Sequence, residues 1–399
     1  MNIKLENKLK RNIKLDYIST FITNLNMQSS VWVLYLAYCG MSLAQIGIIE
    51  GIYHATSIIC EIPSGAAADL LGRKRSMLLS RICIAVSCMI MLFSKSFGLF
   101  ALSFIIQAIG NNFNSGSEEA LVYDSMKCLG QEERYMSVYG KINVIIEVAQ
   151  GIATVAGGIL AEYSWVWCYG ACLVIAALAF FPVLFMEEAP CAGAERETLT
   201  VGEMVARHFR TSFAILRSDI RILKVIVYYE VVFAVETLLF FYSQQYYSEL
   251  GYNKIQISLI LFIVGGVSCL GALLSDKLFG RVGQKLAWIA AGGIAVTLLC
   301  YGFENMVVSV AAFAVSGFFN SVLYPIQSDL LNGLIPSEQR ATLISVNSMF
   351  FSIAMIILFP LAGVMADSRG LTTIFVGIGF ALLVFVLCWG RITPQEKKS

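Results

Sequence analysis

The sequence predicts an all-α membrane protein with twelve transmembrane helices in two pseudo-symmetric bundles of six. Three observations support this fold class. Hydrophobic residues make up 58% of the 399 residues and charged residues only 14%, whereas soluble domains carry about a quarter charged residues. Apolar runs recur at the length of about 20 residues that a helix needs to cross a bilayer. Acidic, basic and glycine residues also repeat at a nearly constant offset.

Each apolar run is predicted to form one transmembrane helix, and only one long charged stretch interrupts the series. The stretch is partly amphipathic, which is typical of a segment lying outside the bilayer. The predicted domains are therefore an N-terminal bundle over 1–186, a cytoplasmic linker over 187–221 and a C-terminal bundle over 222–399. The twelve predicted helices are 15–38, 43–70, 76–94, 97–125, 137–161, 165–186, 222–247, 255–278, 285–303, 306–331, 341–366 and 371–390.

The distribution of lysine and arginine predicts the orientation. These residues concentrate at both termini, in the linker and in the loops that follow even-numbered helices, while the opposite side holds only Lys95, Lys254 and Arg369. The positive-inside rule then puts both termini in the cytoplasm of a multi-pass protein in the cytoplasmic (inner or plasma) membrane. Arg81 lies within the third helix, near its cytoplasmic end, so we expect acids of a membrane cavity to have few basic partners.

The two halves carry like residues 205–207 positions apart, which indicates a duplicated six-helix unit. Asp69 and Asp276 each lie at the cytoplasmic end of an even-numbered predicted helix, and five like-for-like matches at nearly one offset are hard to explain by chance. The matched pairs are Asp69 with Asp276, Asp124 with Asp329, Arg134 with Arg340, Gly158 with Gly363, and Glu162 with Asp367.

Polar side chains concentrate in predicted helices 1, 4, 7 and 10. A side chain facing lipid must be apolar, whereas one facing a water-filled cavity need not be. These four helices, with part of helix 5, are therefore predicted to line a central substrate pathway. The candidate substrate-cavity residues are Asn24, Asn26, Gln28, Gln107, Asn111, Asn114, Gln150, Tyr229, Phe233, Asn320, Tyr324 and Gln327.

Carboxylates within the predicted helices are candidate proton carriers. Inserting one at the centre of a helix costs about 2.5–3.5 kcal/mol, which argues against an idle role. Glu147 and Glu236 are the leading candidates, followed by Glu118, Glu61 and His54. An enzymatic use of Glu118 with Glu119 is not favoured, because adjacent residues of a helix point about 100° apart.

The stretch "GAAADLLGRKRS" between predicted helices 2 and 3 resembles the loop signature of the major facilitator superfamily. The resemblance implies that Asp69 caps or pairs with neighbouring helix ends. It also implies that Arg73 reaches an acid at the end of helix 4, here Asp124, and so stabilises the outward-facing state. A weaker copy of the signature in the second half contains Asp276. The repeat offset matches Asp329 with Asp124. The implied gating-loop residues are Gly65, Asp69, Gly72, Arg73, Lys74, Asp124, Asp276 and Asp329.

The stretches "EIPSGAAADLLGRK" and "SGSEEALVYD" look like those of bacterial drug:proton antiporters within that superfamily. Two of the antiporter signatures are incomplete in this sequence. Ile106 stands where the helix 4 signature has arginine, and "ATVAGG" keeps only the glycine pair of the helix 5 signature, Gly157 and Gly158. That pair permits close helix packing.

The favoured function is proton-coupled efflux of a small amphipathic neutral or cationic compound by alternating access, as in multidrug resistance. The alternative is proton-coupled uptake of a sugar or another small polar metabolite. No GxxxxGK[ST] phosphate loop occurs, so ATP is not expected to drive transport directly. We expect a monomer in the lipid bilayer with a small-molecule substrate and protons as partners. We expect no enzyme activity, no cofactor and no metal. We also expect no nucleic-acid partner, because the net charge is only +1.

Overall fold

The computed structural model describes residues 3–190, 201–334 and 340–389, and these residues form helices and short connections without a β-strand. The helices up to the linker are α1 (Ile3–Asn24), α2 (Trp32–Tyr38), α3 (Leu43–Leu71), α4 (Arg73–Phe93), α5 (Phe97–Asn114), α6 (Ser117–Cys128), α7 (Tyr135–Tyr163), α8 (Trp165–Leu178) and α9 (Phe180–Phe185). The later helices are α10 (Val201–Ser218), α11 (Ile220–Glu249), α12 (Lys254–Val282), α13 (Lys285–Cys300), α14 (Met306–Leu334), α15 (Arg340–Arg369) and α16 (Leu371–Trp389).

The helices confirm the predicted all-α membrane fold. Within the described residues, nine helical runs are long and apolar enough to cross a bilayer. The other three predicted segments, 15–38, 97–125 and 222–247, are helical as well but carry more polar residues, and the first two are interrupted. All three belong to the set of four helices that the sequence predicts to line the pathway. A helix that faces lipid tolerates neither a break nor many polar side chains. Both features therefore fit helices that line the predicted pathway.

The two interruptions differ in their local geometry. Between α5 and α6 the chain turns at Gly116, whose φ of 68° is accessible to glycine at little cost. In the segment between α1 and α2, the backbone at Met27 lies directly against α7. A Cβ added to Gly157 of α7 would lie only 2.0 Å from the carbonyl oxygen of Met27. The predicted close packing at the glycine pair therefore occurs at Gly157.

The chain divides into two compact units, and the first comprises the residues up to Tyr35 together with Ile52–Ala206. In its core the ring of Tyr35 packs on Tyr169 with centroids 4.3 Å apart, and its hydroxyl donates to the carbonyl of Met91 at 2.7 Å. A second cluster joins α4, α6 and α9 through Met77, Leu121 and Val183. These contacts hold α4 and α6 against each other, which positions the side chains of the site below.

The second unit comprises Leu36–Gly51 and the residues from Arg207 onward. In this unit the side chain of Asp367 caps the start of α3. Its two oxygens accept hydrogen bonds from the backbone N–H groups of Leu43 and Ala44, both at 2.9 Å. A carboxylate there satisfies amide groups that a helix start leaves free. The predicted boundaries at 186–187 and 221–222 stay a prediction. Of the predicted linker, residues 191–200 lie outside the described residues, and α10 forms the amphipathic segment.

Candidate functional site

A buried group of charges in the first unit joins α1, α4 and α6. Arg81 of α4 is 4% exposed, and its Nη2 lies 3.6 Å from Oε1 of Glu118 near the start of α6. Asp16 of α1 is 1% exposed, and the charges of Glu118 and Arg81 both act on it. We call Asp16, Arg81 and Glu118 the N-terminal acid cluster. It places two carboxylates around one guanidinium.

Neighbouring polar groups hold part of this cluster. Asn114 Nδ2 donates to Oε2 of Glu118 at 2.6 Å, and Arg81 Nη2 donates to Oγ of Ser19 at 3.2 Å. Oδ1 of Asp16 and Nε of Arg81 are buried without a hydrogen-bond partner in the described structure. Buried polar atoms without a partner are rare in folded proteins, so these two single out the cluster as the leading candidate site.

One cavity beside Glu118 has a volume of about 230 Å³. Its polar wall consists mainly of side-chain amides from α1, α5 and the turn after α1, and Arg81 also faces it. Amides can both donate and accept hydrogen bonds, so the wall suits a hydroxyl- or amide-bearing compound. We call it the amide cavity, and its polar residues are Thr23, Asn24, Asn26, Gln28, Arg81, Gln107, Asn111, Asn114 and Glu118.

A second cavity, of about 300 Å³, lies on the α6–α7 side of the cluster. Its charged and aromatic wall is formed by Asp16, Glu118, Glu119, Tyr135 and Tyr139, and we call it the tyrosine cavity. The cluster therefore lies where the two cavities meet. The residues that line both are Asn24, Asn114 and Glu118.

In the second unit, α11 contributes two buried glutamates, Glu230 and Glu236, which we call the C-terminal acids. Oε1 of Glu230 accepts from Nε2 of Gln327 at 2.7 Å, and the same amide nitrogen donates to Oδ1 of Asn347 at 3.1 Å. Glu236 accepts from Oγ of Ser316 at 2.5 Å. Within the described part of the chain, no lysine or arginine forms an ion pair with either acid.

Predicted aromatic cavity residues lie next to the C-terminal acids. The rings of Phe233 and Tyr324 stack with centroids 4.1 Å apart and an angle of 7°, and Tyr229 packs against Phe233 at 6.1 Å. Tyr324 is 51% exposed, whereas Phe233 is buried. Oδ1 of Asn320, also predicted, is buried and has no hydrogen-bond partner among the described residues. These residues form a mixed aromatic and polar surface on α11 and α14.

The structure groups the predicted polar residues by unit. The amides predicted from helices 1 and 4 all line the amide cavity, and Gln150 of α7 joins them by donating from Nε2 to Oδ1 of Asn24 at 3.2 Å. Their roles in substrate binding stay predictions, as do those of the candidates that belong instead to the second unit. These are Gln327, Phe233, Tyr324, Tyr229 and Asn320.

The predicted proton carriers have different surroundings. Glu236 and Glu118 belong to the buried groups described above. Glu147 lies on an exposed face of α7, His54 is 8% exposed on α3, and Glu61 is half-buried on the same helix. These last three line neither cavity. In the described residues no group of three His, Cys, Asp or Glu side chains could hold a metal ion.

Sequence reasoning missed several residues of these groups. The expectation that the acids lack basic partners is wrong for Glu118, because Arg81 points into the unit and pairs with it. The spacing of Asp16, Thr20 and Asn24 by four residues, which gives one helical stripe, could have identified Asp16. No comparable signal indicates the partners from distant segments, which are Ser316 beside Glu236 and Asn347 beside Gln327.

The loop that carries the superfamily signature forms contacts within the first unit. Arg73 Nη1 lies 2.8 Å from Oδ1 of Asp69, one helical turn earlier. The backbone N–H of Lys74 donates to Oε1 of Glu188 at 2.7 Å. The implied pairing of Arg73 with Asp124, which is half-buried on α6, stays a prediction, as do the gating roles of the other signature residues. The exposed signature residues are Gly65, Asp69, Asp276 and Asp329.

The segment after α9 is fastened to the start of the chain. Lys8 Nζ donates to Oε2 of Glu187 at 2.9 Å. The side-chain carbonyl of Asn12 accepts from the backbone N–H of Glu187 at 2.9 Å, and its Nδ2 donates to the carbonyl of the same residue at 2.8 Å. The hydrogen bond from Lys8 lowers the pKa of the Glu187 carboxyl below its ordinary value.

Known proteins similar to this chain are transporters. It is 24% identical over 377 residues to YxaM of Bacillus subtilis (strain 168), an uncharacterized MFS-type transporter, covering 93% of this chain and 92% of YxaM. Among solved structures it is similar to the nucleoside transporter NupG, with a TM-score of 0.72, 15% identity and coverage of 98% and 100% of the two chains. The D-xylose-proton symporter gives a TM-score of 0.68 and 15% identity, with each chain fully covered.

At such low identity, the solved structures support the fold alone, so the predicted drug:proton antiporter subtype stays a prediction. The family itself is decided by the sequence. The sequence model of the Major Facilitator Superfamily matches residues 17–306 and 284–399, which together span the two units and every helix from the middle of α1 onward. The chain therefore belongs to the Major Facilitator Superfamily, whose members are membrane transporters rather than enzymes.

Proposed function

We propose that the protein is a secondary active transporter that exports a small neutral or cationic compound in exchange for protons. It would act as a monomer in the cytoplasmic membrane, with both termini in the cytoplasm. The observation that carries the proposal is the N-terminal acid cluster. Asp16 and Glu118 are two carboxylates for the single guanidinium of Arg81, and the group lies where two cavities meet.

Charge balance gives this cluster its proposed role. A buried ionised carboxylate is costly unless a cation or a proton neutralises it. Arg81 balances one carboxylate of the cluster, and the other takes up either a proton or a cationic substrate. Exchange of the two as the site faces alternate sides of the membrane couples their movements. Glu236, held by Ser316, is a second proposed proton carrier.

A second candidate is proton-coupled uptake of a small polar metabolite, and the amide cavity favours it. Asn24, Gln107, Asn111 and Asn114 supply several donors and acceptors at one cavity, as recognition of hydroxyl groups requires. The similarity to NupG and to the D-xylose-proton symporter supports only the fold, so nucleosides and sugars enter only as compounds to screen.

Proton movement in proteoliposomes tests the proposal. Purified protein would be reconstituted with a pH-sensitive dye inside the vesicles and supplied with a panel of organic cations, sugars and nucleosides. Substrate-driven proton movement opposite to the substrate supports exchange, whereas movement in the same direction supports uptake. Asp16→Asn and Glu118→Gln should abolish coupling. If both variants couple protons to substrate as the unmodified protein does, the cluster is not the coupling site.

A further inference from the structure

The wall of the tyrosine cavity is strongly acidic. Asp16, Glu118 and Glu119 line it, and no lysine or arginine is among the described residues that do so. Among the described residues, the cation that pairs with this group is Arg81, which faces the amide cavity and lies 3.6 Å from Glu118. Three carboxylates against one guanidinium leave two formal negative charges in excess. A ligand of positive charge is the natural complement of such a cavity.

A second observation, independent of the number of acids that line the cavity, concerns Asp16. The residue is 1% exposed, and its Oδ1 has no hydrogen-bond partner among the described residues. The same residue lines the tyrosine cavity. A buried carboxylate oxygen without a partner is costly, because burial removes it from bulk water, and a donor or a cation from a ligand would satisfy it.

The aromatic side of the cavity selects among cations. Tyr135 donates its hydroxyl to Oε1 of Glu119 at 2.9 Å, which fixes the ring. The rings of Tyr135 and Tyr139 stack with centroids 6.0 Å apart, and Tyr123 meets Tyr135 edge-on at 5.2 Å. Tyrosine faces attract ammonium groups, and carboxylates beside them strengthen that attraction.

Aliphatic residues complete the wall. Val122, Ile142 and Ile146 line the same cavity. Hard metal ions require a shell of six or more oxygen ligands, which apolar side chains and ring faces do not supply. Alkyl groups on a cationic nitrogen instead pack well against them. The volume of about 300 Å³ lies at the lower end of the range of ligand sites, about 300–1,000 Å³.

We propose that the tyrosine cavity binds the head group of an organic ammonium compound, with Asp16 and Glu119 balancing its charge and Tyr135 and Tyr139 contacting its alkyl groups. The inference rests on the proposed function, because it names the substrate class of the transport site. It also assigns a positioning role to Glu119, which holds the ring of Tyr135.

Equilibrium binding to the purified protein tests this inference. The probes are tetramethylammonium, choline and tetraethylammonium, and 3,3-dimethylbutanol is the neutral compound of the same shape as choline. The ammonium probes should bind and the neutral compound should not. Tyr135→Leu should weaken binding about tenfold, the effect of losing one partly desolvated cation–π contact. Glu119→Gln should weaken it as well, and Tyr135→Phe, which keeps the ring, should weaken it less than Tyr135→Leu.

Tyr163→Leu is the matched control, because Tyr163 lies at the far end of the same helix and is 80% exposed. It should bind the probes as the unmodified protein does. Failure of all three ammonium probes, equal binding of the neutral compound, or unchanged affinity in Tyr135→Leu and Glu119→Gln would each overturn the inference. Binding without proton movement would instead contradict the proposed function alone, and proton movement with other substrates but no ammonium binding would contradict this inference alone.

Discussion

Asp16 and Glu118 of the first unit share their surroundings with the guanidinium of Arg81, whereas Glu230 and Glu236 of the second unit have amide and hydroxyl partners. Asp16, Glu230 and Glu236 are buried and Glu118 is half-buried, yet the charge of the two pairs is balanced differently. In the first unit an arginine stabilises an ionised acid. In the second, a buried carboxylate with neutral partners is stabilised by binding a proton.

The difference shows that the duplicated units share a scaffold but not a site. The repeat offset of 205–207 places Glu118 opposite positions 323–325, which are Leu, Tyr and Pro. The same offset places Glu236 opposite positions 29–31, which are Ser, Ser and Val. Neither Glu118 nor Glu236 therefore has an acidic counterpart at the repeat offset in the other half. Two groups of unlike charge balance can respond to pH and to a cationic substrate in different ways, as the proposed coupling requires.

Removing the arginine is the strongest way to break this comparison. Arg81→Met leaves the buried Asp16 and the half-buried Glu118 without their cation, and breaking one side of a buried pair costs about 3–5 kcal/mol. We expect a large fall in the melting temperature of the purified protein, together with loss of transport. The double variant Arg81→Met with Glu118→Gln should recover part of the stability. If the double variant is no more stable than Arg81→Met, the two residues are not energetically coupled.

Matched acid-to-amide substitutions test the contrast between the units directly. Glu118→Gln removes the charge facing Arg81, so it should lower the melting temperature. Glu236→Gln keeps a carbonyl oxygen for the donor Ser316 and loses no ionic partner, so its stability should change by no more than about 1 kcal/mol, the size of one hydrogen bond. It should nevertheless flatten the pH dependence of transport. Equal destabilisation by both variants would remove the distinction between the two sites.

More of the fold than of the candidate site could be predicted from the sequence. Apolar runs of membrane length, the loops in which lysine and arginine cluster, and the repeat offset depend on local composition, which a sequence displays. The polar stripe of Gln107, Asn111 and Asn114 likewise follows from helical spacing, and these residues do line one cavity. Burial and pairing depend on helix rotation and packing. The sequence therefore indicated Arg81 only as a charge near a helix end, and it did not reveal its pairing with Glu118.

The aromatic stack beside the C-terminal acids gives a smaller expected effect. Tyr324→Leu removes the ring that stacks on Phe233 at 4.1 Å, and such a pair contributes about 0.5–1.5 kcal/mol beyond its buried area. We expect a modest fall in melting temperature and a raised KM for a substrate that contacts this surface. Tyr324→Phe keeps the stack and is the control. If Tyr324→Phe and Tyr324→Leu behave alike, the hydroxyl rather than the stack is the important group.

An exposed ion pair of the first unit, between Lys8 and Glu187, should give the smallest effect. Lys8 and Glu187 have side chains 38% and 40% exposed, and solvent-exposed pairs contribute about 0.2–1 kcal/mol. Because Lys8 lowers the pKa of Glu187, its contribution is present above the ordinary carboxyl pKa and is lost as the pH falls through the lowered value. Lys8→Met should therefore lower the melting temperature slightly at neutral pH and not at low pH. High salt should weaken this pair but leave the Arg81–Glu118 pair intact, because salt screens buried charges much less. A loss from Lys8→Met as large as that from Arg81→Met would show that burial does not separate the two pairs.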